Sequence, residues 1–172
     1  REKSKDDAGI AFVLNNMGEA RASQGRAEEA EADYLRALEI YRKLPYPDPD
    51  LANACFNLGD LLRKRGKIDK TLALLKEASE VIEKTLGPDH PQMAKTLHNI
   101  AVIYMGQGGR VDEADGLFRR SRAISERAYG PDHPEVASSL DNHARLLEGM
   151  PDRQDEVAEM RRRVQEIRSK RR

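Results

Sequence analysis

The sequence predicts an all-α chain built from about four helix-turn-helix hairpins, one per repeat. Three observations predict it. First, Leu86-Gly87-Pro88-Asp89-His90-Pro91 returns 43 residues later as Tyr129-Gly130-Pro131-Asp132-His133-Pro134, and a degenerate form, Pro45-Tyr46-Pro47-Asp48-Pro49, lies 42 residues earlier. Second, Asn16, Asn57, Asn99 and Asn142 recur at offsets of 41 to 43. Third, apolar residues inside each unit fall at helical spacing, as in Leu97, Ile100, Ala101 and Tyr104. A period of this length marks a repeat array whose units bury their apolar faces on one another.

The elements follow in order. A charged N-terminal extension covers residues 1–7, and the repeats fill 8–48, 49–90, 91–133 and 134–168, leaving a basic end at 169–172. Within a unit the first helix runs from the proline to a glycine turn at Gly25, Gly66 or Gly108-Gly109. Pro49, Pro91 and Pro134 suit a first helical position, where a missing N–H removes no bond. The second helix alternates small and large residues at i, i+4 and i+7, as in Ala30, Tyr34, Ala37 and in Ala114, Phe118, Ser121. Small residues opposite large ones let two antiparallel helices approach closely. Gly87 and Gly130 close the second helices in the left-handed conformation that glycine tolerates. In the fourth unit Gly149-Met150-Pro151 implies an insertion before the turn, and Arg161 stands where the earlier units carry an aromatic or leucine, which predicts a solvent-facing cap.

Composition narrows the function. Charged residues make up 35% of the 172, with 30 basic against 30 acidic, so no net field draws the chain to nucleic acid or an anionic surface. No run of 18 apolar residues exists that could span a membrane. Aromatics are only 5%, consistent with a thin core shared between stacked hairpins. The single cysteine, Cys55, excludes an intrachain disulfide and points to a reducing, intracellular and mainly cytoplasmic setting. With Arg1 first rather than Met, an organellar location after removal of a leader stands beside it.

The hairpins resemble the tetratricopeptide repeat. Met17-Gly18, Gly25, Ala30, Tyr34 and Ala37 match its pattern in the first unit, Leu58-Gly59, Gly66, Leu75 and Ala78 in the second, and Ile100-Ala101, Gly109, Ala114, Phe118 and Ser121 in the third. The longer unit with its Gly-Pro-Asp-His-Pro linker, and the run Leu14-Asn15-Asn16-Met17, is similar to the kinesin-light-chain type, whose unit nephrocystin-like proteins share. The resemblance implies a right-handed α-solenoid and a non-catalytic scaffold that binds peptides or protein surfaces. It also implies that the first helices line a concave groove.

On that reading the partner-binding residues are Asn15, Asn16, Asn57, Asn99 and Asn142, with Arg63, Lys64 and Lys95 as a basic spot beside Glu19 and Asp60. An asparagine side chain both donates and accepts, so it can grip an extended backbone without reading its sequence. The same asparagines could equally bond the neighbouring repeat. Asn57 and Lys95 match two positions of the family's carboxylate clamp, whereas Glu19 and Asn99 depart from it.

No catalytic, cofactor or metal site is expected. Asp89-His90 and Asp132-His133 recur with the repeat beside helix starts, which predicts turns or caps rather than acid–base pairs. The four histidines lack an i, i+4 pair for zinc. Gly106-Gln107-Gly108-Gly109-Arg110 has neither the Gly-Lys-Ser/Thr nor the preceding strand of a phosphate loop. Cys55 reads as a small core residue. The predicted function is therefore a protein-interaction scaffold with a protein or peptide partner. The alternatives are a structural subunit of a larger organellar or ciliary assembly, and a nucleic-acid adaptor acting through Arg161–Arg172, a stretch of seven bases and one acid.

Overall fold

The computed structural model describes the backbone of residues 2–170 and the side chains of residues 6–170. Among the described residues eight α-helices run in order: α1 (Glu2–Ser23), α2 (Ala27–Lys43), α3 (Asp50–Lys64), α4 (Ile68–Thr85), α5 (Pro91–Gln107), α6 (Val111–Tyr129), α7 (Pro134–Leu147) and α8 (Gln154–Ser169). A single 3-10 turn, Pro151–Arg153, precedes α8, and no strand occurs among the described residues. The expected all-α fold of helical hairpins is observed. Consecutive helices pack in pairs, α1 with α2, α3 with α4, α5 with α6 and α7 with α8. The chain divides into two compact units, Arg1–Pro88 and Asp89–Arg172, each holding two hairpins.

Glycine makes the hairpin turns. Gly25 and Gly66 have φ of 77° and 73°, in the left-handed region where a Cβ is strained. The histidines of the repeated linker act as predicted. His90 and His133 are the N-caps of α5 and α7, and Nδ1 of each accepts from the backbone N–H two residues on, at 3.2 Å. Each is followed by proline at the first helical position, so one orphan donor is satisfied and another is absent. At the start of α3, where the linker is degenerate and has no histidine, Pro49 itself is the cap residue and Asp48 Oδ1 accepts from the Asp50 N–H at 2.9 Å. The chain's charged opening is helical from Glu2, continuous with the first repeat helix.

In the first unit the core is made by Tyr34, Leu38 and Tyr41 of α2, Leu51, Cys55, Leu58 and Leu62 of α3, and Leu75, Ala78 and Ile82 of α4. Cys55 is buried and unpaired, and burial pushes its thiol well above the usual range, which leaves it inert. In the second unit α7 and α8 share a cluster of Val136, Leu140, Ala144, Leu147, Val157, Met160, Val164 and Ile167. Phe118 of α6 is fully buried, edge-on to His98 of α5 and stacked on His143 of α7.

Charge is neutralised between successive repeats. In the first unit Arg42 reaches Glu77 at 2.6 Å, and Arg65 and Lys67 both reach Glu31. In the second, Arg119 meets Glu156 at 2.6 Å and Arg163 meets Glu126 at 2.8 Å. These partners lie 34 to 37 residues apart, close to one repeat, so the balanced composition reflects acids and bases paired across the repeat. Exposed pairs of this kind stabilise by at most about 1 kcal/mol each.

His143 is the exception to exposed charge. It is wholly buried, its Nε2 lies 2.5 Å from Asp115 Oδ1, and its Nδ1 is buried without a hydrogen-bond partner. Burial holds the imidazole below its usual range despite the opposing bond to Asp115. Protonation would place an N–H at Nδ1 with nothing to accept it. Stability from this group is therefore full above the ordinary histidine range near pH ~6.5 and declines as the pH falls through it. His98, also lowered by burial, acts in the same direction. Denaturant titrations at pH 7.5 and 5.5 should show lower stability at 5.5, with a shallower difference in His143→Gln; an unchanged slope in that variant would reject the assignment.

Candidate functional site

The sequence-predicted residues lie on the first helices, and a polar depression lies beside them in each unit. In the first unit the floor begins with a close approach. Gly18 of α1 lies under the ring of Tyr34, so closely that an ideal Cβ would stand 2.7 Å from Tyr34 Cε1. Tyr34 then lines a depression between α1 and α3 together with Glu19, Ser23, Asn57, Asp60, Leu61 and Lys64. Burial, with Glu19 and Asp60 nearby, pushes the Tyr34 phenol up to about 12, so it stays a protonated donor.

Asn57 sits half-buried at the edge of this depression. Its Nδ2 donates to Asn15 Oδ1 at 3.1 Å, across one repeat. Asn15, expected on the exposed groove face, is instead buried, because the register of α1 turns it toward α3. Asn16, its neighbour, is exposed. The predicted basic spot is ion-paired: Arg63 and Lys64 each reach Asp60 at 2.7 Å. Burial alone would raise the Asp60 carboxyl, but these two cations outweigh it and hold it below the usual range.

In the second unit the rung is repeated with a different partner. Asn142 Nδ2 lies 3.1 Å from His98 Nε2, again across one repeat. This bond is not visible in the sequence. What can be read there is position, since His98 precedes Asn99 as Asn15 precedes Asn16. Asn99 is half-buried on α5, and Lys95 is exposed one turn earlier. Asn142 also lines a depression with Pro134, Ala137, Ser138, Asp141, Ile167 and Arg168, where Arg168 meets Asp141 at 3.5 Å.

The other motifs are accounted for by structure. The glycine-rich run near 108 is the α5–α6 turn, where the Arg110 guanidinium lies 3.5 Å over the Tyr104 ring and pairs with Glu113. The C-terminal helix presents its cations to acids: Arg161 to Glu148, Arg162 to Glu159, Arg163 to Glu126 and Lys170 to Asp132. Arg171 and Arg172 lie outside the described residues. Among the described residues no group of three or more His, Cys, Asp or Glu side chains could hold a metal ion, and no helix is long and apolar enough to cross a membrane.

Glycine-turned helical hairpins recurring about every 42 residues, with asparagine bonds across the repeat on their first helices, define an α-helical repeat protein. Comparison with known families is specific: models described as "Tetratricopeptide repeat" match residues 9–70, 50–108 and 93–135. The chain belongs to the tetratricopeptide repeat family, and its relatives make it kinesin-light-chain-like. It is 30% identical over 98 residues to Protein KINESIN LIGHT CHAIN-RELATED 1 of Arabidopsis thaliana, a match covering 56% of this chain and 16% of that protein. The chain thus spans about a sixth of that relative's length. Among solved structures, BtubC (BKLC) from P. vanneervenii superposes with a TM-score of 0.81 at 22% identity, covering 98% of this chain and 69% of that one. The Rap conjugation gene regulator of plasmid pLS20, solved with the Phr* peptide, superposes with a TM-score of 0.70 at 17% identity, covering 95% and 43%. These structural likenesses are likenesses of fold.

Proposed function

We propose that the chain is a non-catalytic protein-interaction scaffold whose first-helix faces bind an extended peptide segment of a partner protein. The observation that carries this reading is the unspent capacity of Asn57 in the depression between α1 and α3. One of its two amide hydrogens goes to Asn15, leaving the other hydrogen and the carbonyl oxygen for a peptide backbone. Tyr34, kept protonated, supplies a further donor beside it. The Asn15 bond and the buried Tyr34 ring hold these groups in place before any ligand arrives, so most of the ordering cost falls on the peptide. The Rap regulator, alike in fold, is a protein solved with a peptide bound.

The test is a peptide selected by display against the folded chain and titrated calorimetrically. Asn57→Ala should weaken it about 3- to 10-fold, the worth of one or two hydrogen bonds. Asn15→Ala removes the inter-repeat bond but leaves the Asn57 amide in the depression, and should weaken it less. Asn99→Ala and Lys95→Ala extend the test to the second unit. Unchanged affinity in a folded Asn57→Ala/Asn99→Ala/Lys95→Ala variant would remove the first-helix faces from the account. Equal losses in Asn15→Ala and Asn57→Ala would reduce the asparagine rung to an inter-repeat link.

A further inference from the structure

The two asparagine rungs differ in one chemical respect. Each joins a ladder asparagine to the side chain just before the ladder position one repeat earlier, Asn57 to Asn15 in the first unit and Asn142 to His98 in the second. Asn15 does not titrate, and His98 does. An Nδ2 group only donates, so at 3.1 Å the Asn142 amide makes His98 Nε2 the acceptor, and the neutral ring then carries its hydrogen on Nδ1. Asn142 Oδ1 bonds no described residue, and Asn142 lines a depression with Ser138, Asp141 and Arg168.

We propose that His98 is a proton-operated selector for this face: neutral, it holds Asn142 with the carbonyl oxygen outward, and protonated, it turns the amide over so that the NH2 group faces outward. The selector's use rests on the peptide-binding role given to the first-helix faces above. Protonation puts a hydrogen on Nε2 opposite the Asn142 nitrogen, so two donors face each other. A half turn of the amide about χ2 exchanges Nδ2 for Oδ1 and restores the bond. The two ends of an amide are nearly equal in size, so packing does not oppose the exchange. Ligand chemistry changes at this one position. With His98 neutral the face offers an acceptor and takes a peptide N–H or a cationic side chain. With His98 protonated it offers donors beside an imidazolium and takes a carbonyl or a carboxylate.

The groups around the ring set where the change falls. Burial of His98 opposes the proton and outweighs Glu135 of α7, which favours it, so protonation falls below the ordinary histidine range near pH ~6.5. The helix α6 presents the uncharged ring of Phe118 edge-on to His98, and His143 of α7 stacks on that same ring with Asp115 as its own partner. On α5 itself Lys95 is exposed three residues earlier. Asp141 and Arg168, beside Asn142, meet each other at 3.5 Å.

The test is an NMR pH titration of the isotope-labelled chain from pH 7.5 to 5.0. It needs no peptide, so it decides the amide reversal even where the peptide-binding reading fails. At pH 7.5 the His98 nitrogen shifts should report the Nδ1–H form, and the Asn142 NH2 should show contacts with the His98 ring. As the pH falls those contacts should weaken, and the Asn142 NH2 resonances should move with the midpoint of His98 while those of Asn57 stay still. His98→Asn, which copies Asn15 of the first unit, should abolish the movement. A neutral His98 in the Nε2–H form, Asn142 resonances that ignore its titration, or a His98 that stays neutral until the fold is lost would each overturn the proposal. A peptide whose affinity falls on Asn142→Ala supplies the second reading. Its affinity should change by about 3-fold or more across the His98 midpoint, and by less in His98→Asn. Equal changes in the two chains would overturn the selector role.

Discussion

Phe118→Ala should destabilise the second unit by about 3–5 kcal/mol, the usual cost of emptying a fully buried aromatic site. The ring lies between two imidazoles from different helices, 5.5 Å from His98 on α5 at 73° and 5.6 Å from His143 on α7 at 24°. Its loss therefore costs more than apolar area. It removes the common contact of α5, α6 and α7, and it loosens His143, whose Nδ1 is already without a partner. Repeat arrays transmit stability only through neighbours. Amide exchange should consequently accelerate most in α5 to α8, with the helices of the first unit least affected. Phe118→Leu, which keeps most of the volume and matches Leu75 of the second repeat, should cost less than half as much. A loss below about 1 kcal/mol for Phe118→Ala would mean that the site collapses without strain.

The second large effect is a difference in sign between equivalent glycines. Gly18 and Gly59 occupy the same repeat position, 41 residues apart. An ideal Cβ at Gly18 stands 2.7 and 2.8 Å from two ring carbons of Tyr34, whereas at Gly59 its nearest neighbour is Thr71 Cγ2 at 3.8 Å. Alanine removes the entropic cost of glycine in a helix, about 0.5–1 kcal/mol. At Gly59 nothing opposes that gain, so Gly59→Ala should stabilise by about that amount. At Gly18 the ring must move from a packed site, which costs about 1–3 kcal/mol, so Gly18→Ala should be destabilising on balance. Tyr34→Leu copies the second repeat's Leu75 and should cancel much of the Gly18→Ala cost in the double variant. Urea titrations of the four chains measure this directly, and a stabilised Gly18→Ala would show that Tyr34 yields freely. Tyr34 also lines the proposed peptide depression, so Gly18→Ala should weaken peptide binding as well.

The two groups of predictions show where sequence reading succeeds. The hairpins, their glycine turns and the capping role of His90 and His133 were legible because each depends on local chemistry. A proline removes an N–H, a glycine admits positive φ, and a histidine one residue before proline reaches a backbone N–H two residues ahead. The candidate site was legible only as a face. Asn57 and Asn142 could be placed on it by counting, but their bonds to Asn15 and His98 depend on rotation of one helix against the next by a fraction of a turn. That same rotation buried Asn15 and left Asn16 outside. The paired state of Arg63 and Lys64 was half visible, since Asp60 lies three and four residues before them on one helix.

The zero net charge shows the division most clearly. The sequence by itself determined that 30 acids balance 30 bases and that the apolar pattern recurs with a period near 42. It also determined the helical class, because periodicity and turn residues act over a few positions. Only the tertiary structure decided which charges meet, such as Arg42 with Glu77 and Arg163 with Glu126, and which glycine is crowded. It alone decided that Ile10, Val13 and Met17 of α1 are exposed here while Leu51, Ala54 and Leu58, one repeat on in α3, are buried. The reason is physical: composition and period are properties of the chain, but contact distance is set by how two helices roll and slide against each other. That adjustment comes from the summed packing of many side chains and from no residue alone.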